Sequence, residues 1–128
     1  MNRAIVLTAI LTILLAIVLG AFGAHALKEL ISGEILISFE TGVRYQMYSG
    51  IALLVIGLNA DRFEFNLRTF FNLNFTGLCL FSLSIYLLAL QEVFGLSLRF
   101  LGPITPVGGL LMIVSWSYLL VKLVKSSK

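Results

Sequence analysis

"AIVLTAILTILLAIVLGAFGAHAL", residues 4–27, decides the fold: His25 is its one titratable side chain. A run of about 20 apolar residues is long enough to cross a hydrocarbon core of about 30 Å as a helix. Three more such runs follow. Residues 41–59 carry one charge, Arg44, in the first turn, whereas 69–91 and 104–121 carry none. In lipid the backbone must satisfy its own hydrogen bonds, so these runs are predicted to be helices rather than strands. The whole chain agrees: of its 128 residues 59% are hydrophobic and 12% charged, about half the charge of a soluble domain. The sequence predicts an all-α integral membrane protein, a compact bundle of four transmembrane helices over 4–27, 41–59, 69–91 and 104–124. All four belong to one domain covering residues 1–128, since no linker is long enough to divide the chain.

The start of the chain also has the outline of a signal peptide: a basic beginning, an apolar stretch and a small-x-small triplet at Ala24-His25-Ala26. Its apolar stretch is longer than the roughly 7–15 residues of a signal core, so the segment is expected to stay as the first span.

Lysine and arginine near the helix ends set the orientation. Arg3, Arg62, Arg68, Lys122, Lys125 and Lys128 fall on one side, and Lys28, Arg44 and Arg99 on the other. Six against three puts both termini in the cytoplasm. The net charge of +3 is then a topology signal. Scattered over short loops without interleaved aromatics, these cations make no nucleic-acid footprint. Cys79 is the single cysteine and His25 the single histidine, so neither a disulfide nor a metal-ligand set is available. No cofactor is expected.

Helices in lipid associate through close packing and hydrogen bonds, which favours small and polar residues at their contacts. Thr8, Thr12, Ala16, Gly20 and Ala24 recur at every fourth position of the first helix, with Gly23 beside them. Gly108 and Gly109 would admit another backbone close to the fourth. Thr105 is a candidate N-cap for that helix and Pro106 its first residue. In the third helix, Asn72, Thr76, Cys79 and Tyr86 are placed near one face by their spacing. Residues 28–39 are expected to form an interfacial turn or a short amphipathic helix.

With the termini inside, His25, Glu40, Arg44, Tyr45, Tyr48, Tyr86 and Gln91 gather toward the outer end of the bundle. Glu40 and Arg44 lie one turn apart in the order that favours an ion pair, with Glu29 and Glu92 as other partners for Arg44. Two readings of this layer stay open. One is an interfacial belt, with tyrosines at headgroup depth and Arg44 snorkelling. The other is an outward-facing cleft for a lipid or small metabolite. Trp116 is expected to direct its indole N–H toward an acceptor on the first or third helix.

Four motifs in order, "GAFGAH" (20–25), "ETGVRYQ" (40–46), "SIYLLAL" (84–90) and "TPVGGLLM" (105–112) followed by Trp116, resemble the YgdD-like bacterial membrane proteins, the domain of unknown function 423. The resemblance covers essentially the whole chain. It implies a small protein of about four spans in the inner membrane of a bacterial cell, a mitochondrial relative, and no assigned catalytic residue. The chain departs from that pattern at Ser49, where histidine is usual, and at Leu83, where glycine is common.

No nucleophile–base pair or phosphate-cradling loop appears, so an enzyme is not expected. The span centres are apolar and no proline interrupts them, which gives alternating access little to grip. The favoured function is a structural, accessory or assembly component that meets membrane lipids and either copies of itself or a larger membrane complex. The alternative is a lipid- or metabolite-binding carrier.

Overall fold

A computed structural model describes residues 1–126. Four helices follow one another: α1 (Arg3–His25), α2 (Gly33–Leu58), α3 (Arg68–Phe94) and α4 (Ile104–Ser126). Single 3-10 turns at Leu27–Glu29, Ala60–Arg62 and Arg99–Leu101 lie in the connections. The order is up-down-up-down. Each end is set by local chemistry. Asn2 caps α1 by accepting from the Ile5 N–H at 3.2 Å, and its own N–H reaches the Gly57 carbonyl at 2.8 Å. Gly95, at φ 65°, takes the left-handed conformation that lets the Leu96 N–H return to the Gln91 carbonyl and close α3.

α1, α3 and α4, each with the one-turn helix beside it where present, are long and apolar enough to cross a membrane. α2 is as long but holds Arg44, Tyr45, Gln46 and Tyr48 near its middle; it packs lengthwise between α1 and α3. The outward face of α1 exposes Leu7, Ile10, Leu11, Leu14, Ile17 and Val18. Such a continuous apolar ridge is costly in water and natural against lipid.

α2 starts eight residues before its apolar run, at Gly33, so most of the predicted 28–39 linker is helix. Those added turns bury Phe39 on Leu27, Ile85 and Tyr86, one of two hydrophobic clusters. The other, at the opposite end, joins Ile5, Ala9, Leu53, Ile56, Leu67, Phe70 and Leu119 from all four helices.

The small-residue stripe of α1 is only partly the contact face. Thr12 and Ala16 are buried and Gly20 half-buried, but Ala24 is exposed, while Ile5, Ala9 and Gly23 turn inward. A repeat of four residues drifts about 40° per step on a helix of 3.6 residues per turn, so it leaves the contact after two or three steps. The buried set Ile5, Ala9, Thr12 and Ala16 alternates steps of four and three, which holds the seam.

Glycines make the closest approaches, and most are not those singled out from sequence. A Cβ on Gly77 would stand 2.8 Å from the Gly108 oxygen, and one on Gly50 would meet Ile13 at 2.7 Å. Gly23 seats the Phe39 ring, 2.8 Å from where its Cβ would be. Gly20 and Gly109 have room, their nearest neighbours being Val43 at 3.4 Å and Phe81 at 3.7 Å. Gly108 is therefore a packing glycine and Gly109 is not.

Candidate functional site

The interior holds a short polar ladder. Gln46 on α2 is buried; its Nε2 donates to the Thr12 carbonyl on α1 at 3.0 Å, leaving Oε1 to accept from Tyr86 of α3 at 2.6 Å. One turn higher, the Ser82 hydroxyl donates to the Gly42 carbonyl at 3.0 Å. These bonds tie α1, α2 and α3 together where lipid supplies no competing water. Between α3 and α4, Asn74 donates to Ser115 Oγ at 3.1 Å, and Ser115 donates onward to the Met112 carbonyl at 2.7 Å. Asn74 Oδ1 is buried with no partner. At the outer end, Ser84 and Thr105 hydroxyls meet at 2.6 Å.

Beside this ladder lies the largest cavity. α4 packs on α3 and α1 on α2, and the two hairpins join through α2 and α3. α2 and α4 stand apart, leaving a groove of about 720 Å³ open to the side. Its walls include Tyr45, Tyr48, Ser49 and Ala52 from α2, Phe81 from α3, and Gly109, Met112, Ile113 and Trp116 from α4. Tyr45 and Tyr48 meet edge to face at 6.1 Å, Tyr45 leans on Phe81 at 5.2 Å, and Trp116 is set edge-on against Phe70 at 5.1 Å. No ionisable acid or base other than the two phenols lines it. Next to it, toward the start of α4, lies a second chamber of about 460 Å³ that shares Thr41 and Phe81 with it and reaches Gln91 and Thr105.

The seven residues singled out at the outer end do not share one site. His25 ends α1, exposed. Glu40 and Arg44 are exposed and border a small cleft against Gly20 and Gly23 of α1. Tyr45 and Tyr48 line the α2/α4 groove, and Gln91 lines the chamber next to it while accepting from the Leu98 N–H at 3.1 Å. Tyr86 is in the core, on Gln46.

Four expectations are corrected. Arg44 pairs with no carboxylate among the described residues; its Nε donates to the Glu40 carbonyl at 3.4 Å, while Glu92 accepts from the Ser32 N–H. Both side chains are exposed, where an ion pair gains little and must hold two long side chains in one geometry, so nothing fixes Arg44 on the Glu40 carboxylate. The Trp116 indole lies along the groove instead of reaching an acceptor on α1 or α3. On α3, Asn72 and Thr76 are exposed, and the inward polar residues are Asn74, Ser82, Ser84 and Tyr86. Thr105 does not start α4: the helix begins at Ile104, and its hydroxyl serves Ser84.

Gln46, Asn74 and Ser115 were missed as interior residues. The available signal was an uncharged polar side chain deep in an apolar run, which in lipid turns inward. Ser49, at the departure from the YgdD-like pattern, is buried on the groove wall; Leu83, the other departure, faces outward.

The family model described as "Protein of unknown function (DUF423)" matches residues 19–109. The chain is 41% identical over 115 residues to a UPF0382 membrane protein of Staphylococcus epidermidis (strain ATCC 12228), covering 90% of each chain. It is 40% identical over 114 residues to the UPF0382 membrane protein YwdK of Bacillus subtilis (strain 168), covering 88% of this chain and 89% of that one. With a UPF0382 membrane protein of Staphylococcus haemolyticus it shares 38% identity over 125 residues, 98% of each chain. No solved structure matches. With an apolar helical bundle of the same length as these relatives, the chain belongs to the DUF423 family of membrane proteins, a family of unknown function.

Proposed function

We propose that this is a multi-pass protein of the bacterial cell membrane, both termini cytoplasmic, that acts without catalysis as an accessory component holding an apolar molecule of the bilayer in its α2/α4 groove. The observation that carries the reading is the separation of α2 from α4. It leaves about 720 Å³ of apolar, aromatic-walled space open sideways, where the surroundings are hydrocarbon. That volume lies within the roughly 300–1,000 Å³ of ordinary ligand sites. Glycines and polar bonds close α1 on α2 and α3 on α4, contacts that α2 and α4 do not make with each other.

A phospholipid with a photoactivatable diazirine in mid-chain tests the groove in liposomes. Adducts are expected to concentrate on Ala52 and Ile113, and Ala52→Phe, which fills the groove, should remove most of them. Labelling spread evenly over the groove and the Leu7–Leu14 ridge of α1 would count against the reading.

The orientation rests on the basic side chains at the end where Met1 and Asp61 pair. In intact cells an impermeant thiol reagent, used on a Cys79→Ser background, should label Ser32→Cys and spare Ser126→Cys until lysis. The reverse pattern would invert the topology.

A further inference from the structure

The α2/α4 groove has hydrogen-bond donors and little in the protein to receive them. Tyr86 donates to Gln46, but the hydroxyls of Tyr45 and Tyr48 and the indole N–H of Trp116 find no protein acceptor among the described residues. Depth makes this informative. Tyr48 lies ten residues before Leu58 and Trp116 ten before Ser126, each about 15 Å from the inner end of its helix. Tyr48 falls inside the apolar stretch that follows Arg44, and Trp116 inside the one that ends before Lys122, so both lie within the hydrocarbon and below the headgroup level where tyrosine and tryptophan form belts. Water does not serve a donor there, and an unpaired polar group costs free energy.

The ligand that suits these donors must carry acceptors into the hydrocarbon. A phospholipid does not, because its ester and phosphate oxygens stay with the headgroup at the interface. An ionised head is excluded by the lining, which offers no opposite charge. What remains is a neutral, flat molecule soluble in hydrocarbon. The walls fit such a ring: Tyr45, Tyr48, Phe81 and Trp116 present aromatic faces and edges on both sides. The neighbouring chamber, toward Gln91 and Thr105, has room for a tail.

We infer that the α2/α4 groove binds a quinone-type molecule, a ring with carbonyl oxygens on a hydrocarbon tail, one oxygen accepting from Tyr48 and the other from Tyr45 or Trp116. The inference concerns binding alone and rests on the groove being a ligand site, as proposed above.

Trp116 is the single tryptophan of the chain and stands in the groove, so its fluorescence reports occupancy. The protein in nanodiscs of zwitterionic phospholipid is titrated with a decyl-substituted 1,4-benzoquinone. Saturable quenching is expected, with the apparent Kd raised about five- to tenfold in Tyr48→Phe, the effect of one lost hydrogen bond. Tyr48 is exposed and the change conservative, so helical content should not move. Decylbenzene, which keeps ring and tail but lacks the carbonyls, should not displace the quinone. Linear, unsaturable quenching would overturn the inference, as would a Tyr48→Phe variant that binds equally well. Displacement by decylbenzene as effective as by a second quinone would also overturn it. If the diazirine lipid still labels Ala52 and Ile113 in that case, the groove is a site for any hydrocarbon chain and only the ligand class is wrong.

Discussion

Replacing Gly108 with alanine is expected to destabilise the protein by about 3 kcal/mol, the upper part of the usual range for overpacking. The reason is that the new methyl would meet backbone rather than a movable side chain. Its Cβ would stand 2.6 Å from the Gly77 oxygen and 2.9 Å from the Leu80 carbonyl carbon. Neither atom can turn away, so α3 and α4 must separate along their whole contact and loosen the Asn74–Ser115 bond. Gly77→Ala should behave alike, because its Cβ meets the Gly108 oxygen at 2.8 Å and the Met112 nitrogen at 2.9 Å. The neighbouring Gly109→Ala is the control: Phe81 is its nearest atom, at 3.7 Å, and the change should stay within about 0.5 kcal/mol. Unfolding midpoints in detergent micelles, by circular dichroism, measure the three. Equal midpoints for Gly108→Ala and Gly109→Ala would mean that the α3/α4 backbones do not touch here.

The second large effect concerns Gln46 and Tyr86. Tyr86→Phe leaves the buried Gln46 Oε1 without a donor, and Gln46→Leu leaves the buried Tyr86 hydroxyl without an acceptor. Each is expected to cost about 1–2 kcal/mol, since an orphaned buried polar group loses its partner and regains no water. Gln46→Leu also removes the donor to the Thr12 carbonyl, so it should be the worse of the two. The double variant should cost less than the sum by about 1 kcal/mol, in the upper range of couplings measured between membrane helices. Strict additivity in the double-mutant cycle would show that the two side chains do not share a bond.

Both expectations depend on residues whose importance is visible at different levels. The apolar runs were legible from residue order alone. Twenty uncharged residues admit one inexpensive structure in hydrocarbon, a helix with its own hydrogen bonds paired, whatever lies beside it. The four helices follow from that local rule, three of them long and apolar enough to cross a membrane, and so does the membrane class that the relatives share. Gly108 was legible as a packing residue because small residues mark close helix contacts in lipid, though Gly20 and Gly109 carried the same mark and have room.

Which side of each helix faces its neighbour was not legible, because it depends on helix rotation, and a few tens of degrees exchange one neighbour for another. Thr8 to Ala24 looked like one stripe, yet the four-residue step drifts off the contact. Asn72 and Thr76 looked inward, yet Asn74 is the buried residue. The reach of α2 back to Gly33 depended on Phe39 finding Leu27 and Tyr86, contacts between segments far apart in the chain. The groove is of the same kind. Tyr45, Tyr48 and Trp116 are ordinary aromatic residues in their own helices. They face one groove only because glycines draw α4 against α3 and α2 against α1, which leaves α2 and α4 apart. Helix formation in lipid is decided residue by residue along the chain. A site made from a gap between helices exists only once all the closest approaches have been chosen.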